Sequence, residues 1–209
     1  MKSTVLDLVG LQIWRGSLLL ADWIIHNHKS IMSSDSYILE LGAGVGLTSI
    51  VGSIFAPVFC TDVNKGNLLD LIKSNLERNK HIVKHPVNIL ELDFTTQTLP
   101  TDILSSLSKI RIIIAADTIY DDDITDAFIR TINLLLSEPP ERSLYVALEK
   151  RFVFTIADCD STAPCYEYFL QCLQQIKNVQ VEEVPLDFPK YFKYERVKEL
   201  VIWKLTSVF

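Results

Sequence analysis

Short β-branched runs alternate with longer amphipathic stretches along this chain, the signature of strands separated by helices. The runs "SYILEL" (36–41), "PVFCTD" (57–62), "VNILELD" (87–93), "RIIIAAD" (111–117) and "SLYVALE" (143–149) predict successive strands. "VQVEEVPL" (179–186) and "KELVIWKL" (198–205) predict two more. Helix-period segments fall between them at 46–55, 65–79, 122–137 and 164–177, with another at 16–27 ahead of the first strand. Asn64 is placed to cap the second of these, the acids at 121–123 complement the dipole of the third, and Pro164 suits the first turn of the fourth.

Near-continuous apolar strands alternating with helices predict an α/β fold: a Rossmann-like, seven-stranded, mostly parallel sheet with helices on both faces. The end breaks the alternation. After the last helix two strands follow in succession, with only "DFPKYFKYERV" between them. They predict a terminal antiparallel hairpin at or near one edge. The whole of 1–209 reads as one domain, with 1–30 as a leading segment and helix and 36–209 as the Rossmann-like core.

Composition narrows the chemistry. With 209 residues the chain can bury a substantial core. No apolar stretch reaches the length that spans a bilayer, and "MKSTVLDLVG" is a poor signal peptide. The net charge of −6 disfavours direct nucleic-acid binding and suits a basic partner. Cys60, Cys159, Cys165 and Cys172 form no C-x-x-C pair and read as thiols of a reducing compartment, so no metal site is expected. His81 and His85 flank an apparent helix exit and read as solvated loop residues. An intracellular protein of the nucleus or cytoplasm, monomeric and free of membrane, is the expectation.

The most specific stretch is "YILELGAGVGL" (37–47). A dinucleotide turn needs G-x-G-x-x-G, but the glycines here are 42, 44 and 46, and the dinucleotide position is Leu47. A Walker loop would end in Gly-Lys-Ser/Thr, and this turn has no lysine. With Glu40 two residues before Gly42, the pattern E-x-G-x-G-x-G resembles the first motif of class I S-adenosylmethionine-dependent methyltransferases. That cofactor carries no phosphate, so the turn must offer close backbone approach through Gly42, Ala43, Gly44 and Gly46, and an acid nearby for its ammonium. The second strand ends at Asp62, where a carboxylate can accept both ribose hydroxyls; capping the next helix is its competing use. The third ends in Asp93 and Phe94, an aromatic able to stack on adenine or to pack in the core.

The fourth strand ends in "AADTIYDDD", placing Asp117 at the same rim and Tyr120 one turn on. This D-x-x-Y element resembles that of the family-16 protein methyltransferases, which mostly modify lysine. "GLQIWRGSLLLADWI", "LEKRFVF" and "YERVKELVIWKL" resemble the same family across essentially the whole chain. The resemblance implies S-adenosylmethionine as cofactor, with contacts from Trp14, Gly42 to Gly44, Asp62, Phe94 and Ala116. Relatives commonly have tryptophan where this chain has Phe94, which shrinks the stacking area. They also carry a longer N-terminal region, so a shortened form is expected.

Lysine's unperturbed pKa of ~10.4 requires its amine to lose a proton before it can attack a methyl group. Burial and a neighbouring sulfonium both lower that pKa, which leaves positioning as the enzyme's main task. Asp117 is assigned to substrate capture and orientation, with helix capping as its competing use. Tyr120 holds the amine or walls the lysine channel. Asp121, Asp122, Asp123 and Asp126 form an acidic lip, either solvated or contacting a basic segment around the target lysine of a protein substrate. Amino-directed base methyltransferases place a D/N-P-P-Y/F element after strand four; here it reads D-T-I-Y. A small-molecule methyltransferase would share the glycine turn, because fold alone does not set the substrate. A non-catalytic scaffold keeping the fold would predict a damaged turn, yet Glu40, the three glycines and Asp62 are all present.

Overall fold

Seven strands line up in the order β3-β2-β1-β4-β5-β9-β8 in the computed structural model, which describes all residues except 1–9, 34, 97 and 156–159. They are β1 (Tyr37–Leu41), β2 (Val58–Asp62), β3 (Val87–Glu91), β4 (Ile110–Ala116), β5 (Ser143–Glu149), β8 (Val179–Glu183) and β9 (Leu200–Ser207). β1 to β5 run parallel. β9 inserts between β5 and β8 and pairs antiparallel with both. The reversed strand thus lies one place inside the edge, and β8 is the edge itself.

Strand side chains alternate between faces, and the two cores follow that rule. Ile38, Val58, Ile112, Ile114, Ala147 and Ile202 face one core with α1 (Arg15–Ile31), α2 (Leu47–Gly52) and α3 (Leu68–Arg78). Leu39, Phe59, Ile113, Val146, Leu148 and Val201 face the other, with α4 (Thr101–Ser106), α5 (Asp122–Leu136) and α6 (Pro164–Leu173). Burial on both faces explains why these strands read as unbroken apolar runs. The segment between β8 and β9 is tied back to α1 by Asp22, which is fully buried. Its carboxylate accepts from the N–H groups of Tyr191 and Phe192, the Tyr194 hydroxyl and the Arg196 guanidinium.

Three local features depart from the sequence expectation. α3 starts at Leu68 and takes no cap from Asn64, because Gly66 and Asn67 both adopt positive φ and delay the helical path. α4 lies in a stretch where the sequence pattern predicts no helix. A small hairpin of β6 (Val153–Thr155) and β7 (Asp160–Thr162) follows β5. Asp121 does cap α5, accepting the N–H of Ile124 at 3.0 Å, and Pro164 opens α6. Cys60, Cys165 and Cys172 are free thiols, and Cys159 lies outside the described residues.

Candidate active site

The strand order reverses between β1 and β4, and a cleft of about 450 Å³ opens outside their carboxyl ends. Open parallel sheets bind ligands at this reversal. The turns that follow β1, β2, β3 and β4 form its walls, and Gly10, Leu11, Gln12 and Trp14 close one side.

The turn after β1 is the floor. Gly42 has φ of 70°, and a Cβ there would sit 2.8 Å from Cγ2 of Thr118 and 3.7 Å from the Phe94 ring. Only glycine keeps both the backbone path and the open space. Ala43 donates its N–H to Thr61 and accepts that of Gly46, each at 2.9 Å, so the turn is closed by main-chain bonds. Gly46 begins α2 and packs against Ile72, an architectural rather than a ligand-facing place.

Glu40 alternates with Ile38 onto the face covered by α2, so a carboxyl enters the core. It is fully buried, and the hydroxyls of Thr48 and Ser49 in α2 donate to its two oxygens. Burial pushes it up to about 7 against the pull of those hydrogen bonds, with nearby Asp62 adding to the rise. Asp62 accepts the N–H of Gly44 through one oxygen and that of Val63 through the other, both at 2.7 Å. Burial raises this carboxyl to about 6, the two N–H groups opposing. Glu40 braces the turn from beneath, and Asp62 braces it from the side.

Asp93 closes a local turn, accepting the N–H and hydroxyl of Thr95 at 2.8 and 2.7 Å. The ring of Phe94 lies 5.3 Å from that of Phe128, so it joins the core and lines the cleft together. Ala116 ends β4 in the cleft wall, and half-buried Tyr120 follows. Burial raises the Tyr120 phenol, with Asp62 and Asp121 adding to the effect, so it stays protonated at neutral pH.

Asp117 also borders the cleft, but its carboxylate turns toward the main chain. One oxygen accepts the N–H of Gly16 at 2.6 Å and the other that of Glu149 at 3.2 Å. Arg151 stands 3.8 Å from it and stacks 4.4 Å above the Trp14 ring. Glu149 pairs with Arg15 at 2.6 Å, and Lys150 lies over the Tyr166 ring. The acids after Tyr120 divide as well. Asp121 caps α5, Asp126 accepts the Tyr168 hydroxyl at 2.7 Å, and Asp122 and Asp123 are left exposed.

Sequence reasoning missed Gly16, Thr48, Ser49 and Thr118. Hydroxyl positions leave no periodic trace, and the only cue for Thr118 is its place inside D-x-x-Y. Its Oγ1 is buried without a hydrogen-bond partner among the described residues, and the residue lines the cleft. The lining carries the acids Glu40, Asp62, Asp93, Asp117, Asp121 and Asp123 against one base, Lys65. Such a field opposes a phosphate and favours a cation. A cleared floor, an acid-rich wall and an aromatic flank fit a phosphate-free sulfonium nucleoside.

Comparison with known proteins agrees with that chemistry. Two curated relatives, both named methyltransferase-like protein 22, are 34% identical to this chain. The human one is matched over 98% of this chain and 56% of its own length, the mouse one over 97% and 57%. A mouse protein named protein-lysine N-methyltransferase EEF2KMT is 28% identical over 94% of this chain and 58% of its own. The chain therefore spans just over half the length of the curated relatives it matches. Among solved structures, a putative RNA methyltransferase from Pyrococcus horikoshii superposes with a TM-score of 0.60 at 14% identity, covering 100% of this chain and 93% of its own. A glycopeptide N-methyltransferase complexed with S-adenosyl-L-homocysteine gives 0.61 at 12% identity, covering 90% and 89%. At such identities these two show the shared fold alone. A family model described as lysine methyltransferase matches residues 1–175, and the chain belongs to that family.

Proposed function

We propose that this protein transfers a methyl group from S-adenosylmethionine to the side-chain amine of a lysine in a protein substrate. The carrying observation is the cleft floor: a glycine turn with no room for a Cβ at Gly42, braced by Asp62, in a cleft whose charged lining residues are acids but for Lys65. When bound, S-adenosylmethionine would supply a sulfonium-borne methyl carbon open to attack by an amine lone pair, the N–C bond forming as the C–S bond breaks, with S-adenosylhomocysteine leaving as a neutral thioether and one proton to be shed from the methylated amine.

The chain's own residues then have distinct tasks. Asp62, with both oxygens already orienting main-chain N–H groups, presents its remaining lone pairs to the ribose hydroxyls. Phe94 offers a ring face for the adenine, and Trp14 closes the opposite side. The backbone from Gly42 to Gly44 would line the methionine part, with Glu40 beneath it, whose carboxyl a bound ammonium would draw to the ionised form. Thr118 has a hydroxyl without a hydrogen-bond partner among the described residues, which a bound ligand could satisfy after rotation of the side chain. Tyr120 keeps its proton, so it positions the amine and does not act as a base. Water carries the released proton away.

Asp122 and Asp123, exposed beside Tyr120, favour a basic segment around the target lysine. Three free thiols are in keeping with a reducing compartment, nuclear or cytoplasmic. Among the described residues no helix is long and apolar enough to cross a membrane.

The test is transfer of radiolabelled methyl from S-adenosylmethionine into a protein extract, followed by mass spectrometry of the modified residue. Label on lysine supports the reading. Label confined to RNA or small molecules, or no label, overturns it.

A further inference from the structure

We propose that Asp117 is a positioning residue: its carboxylate docks the first turn of α1 onto the ends of β4 and β5, and so holds Trp14 in the cleft wall. For what Trp14 then contacts, this rests on the methyltransferase reading above. The docking itself stands on geometry alone.

α1 begins with its Ser17 N–H on the Trp14 carbonyl at 3.2 Å but with no capping side chain of its own. Trp14, its N-cap, makes no side-chain capping bond, and the first turn contains no acid. Helix starts leave N–H groups that need an acceptor, and a negative charge there is stabilising. Asp117 supplies both from 101 positions away, taking the Gly16 N–H at 2.6 Å. Its second oxygen takes the N–H of Glu149 at the end of β5, and its own N–H goes to Ala147 at 2.8 Å. One side chain thus ties α1, β4 and β5 together at the rim.

The backbone is bent to allow this. Asp117 has φ of 53°, a left-handed conformation rare for a residue with a side chain. Opposite it no side chain is tolerated, since a Cβ on Gly16 would lie 2.4 Å from the Asp117 carboxylate and 3.0 Å from the Ala147 carbonyl. Two more contacts close the same seam, the Arg151 guanidinium over Trp14 and the Arg15–Glu149 pair. The Asp117 side chain is only 3% exposed. A carboxylate so buried and so occupied has little left for a substrate amine, whereas its shortest contact, with the Gly16 N–H, and its neighbour Arg151 both bear on the segment carrying Trp14.

The experiment compares D117A, D117N, G16A and the D117A/G16A double variant. Hydrogen exchange reads the amides of the first turn of α1, and calorimetry reads S-adenosylhomocysteine affinity. Positioning predicts faster exchange there in D117A and G16A, and about tenfold weaker binding, the size of a lost hydrogen bond to a charged group. The double variant loses less than the sum of the two single changes, because the carboxylate that an alanine at 16 would strike is gone while the crowding against the Ala147 carbonyl remains. D117N, which keeps one acceptor oxygen, retains more protection and affinity than D117A. If instead D117A keeps wild-type exchange and affinity and loses only turnover, the carboxylate serves the substrate and the proposal is overturned. Should the wild-type protein itself not bind S-adenosylhomocysteine, the methyltransferase reading fails, while the exchange data still decide the docking.

Discussion

Asp62 at the end of β2 accepts the main-chain N–H of Gly44 across 2.7 Å, so the carboxylate that faces the cleft also holds up its floor. The neighbouring acid, Glu40, holds the same floor from below through Thr48 and Ser49. Burial raises the proton affinity of both carboxyls, and Asp62 adds to the rise at Glu40.

That arrangement predicts a pH dependence. Folded Glu40 titrates near about 7 and folded Asp62 near about 6, above their ordinary values of 4.5 and 3.8. Between those limits the folded chain keeps protons that the unfolded chain has released. Stability from these two groups is therefore fully present below about pH 4 and is lost as pH rises through 6 to 7. For Glu40 the swing is at most ~3 kcal/mol. Thermal melts of the ligand-free protein from pH 4.5 to 7.5 are expected to fall more steeply in the wild type than in E40Q. Parallel slopes would mean that Glu40 does not titrate in this range.

Gly42→Arg is expected to abolish binding of S-adenosylhomocysteine while leaving the circular dichroism of the fold intact. The smallest side chain already meets Thr118 at 2.8 Å, and the positive φ adds strain. An arginine must project into the cleft, where it replaces the ligand. Calorimetry decides the matter, and retained binding would place the ligand elsewhere.

Much of this site was legible from the order of residues because rim positions follow from strand ends. Once "PVFCTD" and "RIIIAAD" are buried parallel strands, Asp62 and Asp117 must emerge at one edge of the sheet. What Asp117 touches was not legible, since Gly16 lies 101 positions away and no local pattern couples them. The fold shows the same division. The parallel strands β1, β2, β4 and β5 are apolar and buried on both faces, whereas α4 has six residues and β6 and β7 three each, too few to establish a period. Asn64 fits a cap by composition. The helix nonetheless starts four residues later, at Leu68, because backbone conformation at Gly66 and Asn67 overrides that preference.

Removing Arg196 should destabilise the protein without touching the cleft. Its guanidinium meets the fully buried Asp22 at 2.9 Å, stacks on Phe188 and donates to the Phe188 carbonyl at 2.6 Å. R196A leaves the carboxylate buried with its cation gone, a loss of about 3–5 kcal/mol. The melting midpoint should drop on the order of 10 °C. S-adenosylhomocysteine affinity measured well below that midpoint should be unchanged.

Tyr120→Phe separates binding from chemistry. The ring and its packing remain, and only the hydroxyl is lost, so cofactor affinity is expected to hold. Turnover should fall about tenfold, the effect of one hydrogen bond to a charged amine. Because burial keeps this phenol protonated, the pH–rate profile should show no limb that disappears in Y120F. Loss of such a limb would make Tyr120 a proton acceptor instead.

The four acids after Tyr120 predict two phenotypes, a loss of stability and a weakened hold on substrate, because only Asp121 and Asp126 are tied into the fold. Asp121→Ala removes the cap of α5 and should cost ~1 kcal/mol of stability. Asp126→Ala frees the Tyr168 hydroxyl and loosens α5 from α6, again a matter of stability. Asp122 and Asp123 are exposed and make no comparable internal bond among the described residues, so their charge is available to a partner. Exposed pairs are worth ~0.2–1 kcal/mol each, so D122N/D123N should raise KM for a basic protein substrate by about two- to tenfold at low salt. The difference should vanish as salt screens the approach, with kcat and melting temperature unaltered. An unchanged KM at low ionic strength would remove these acids from substrate recognition and leave them a solvated face.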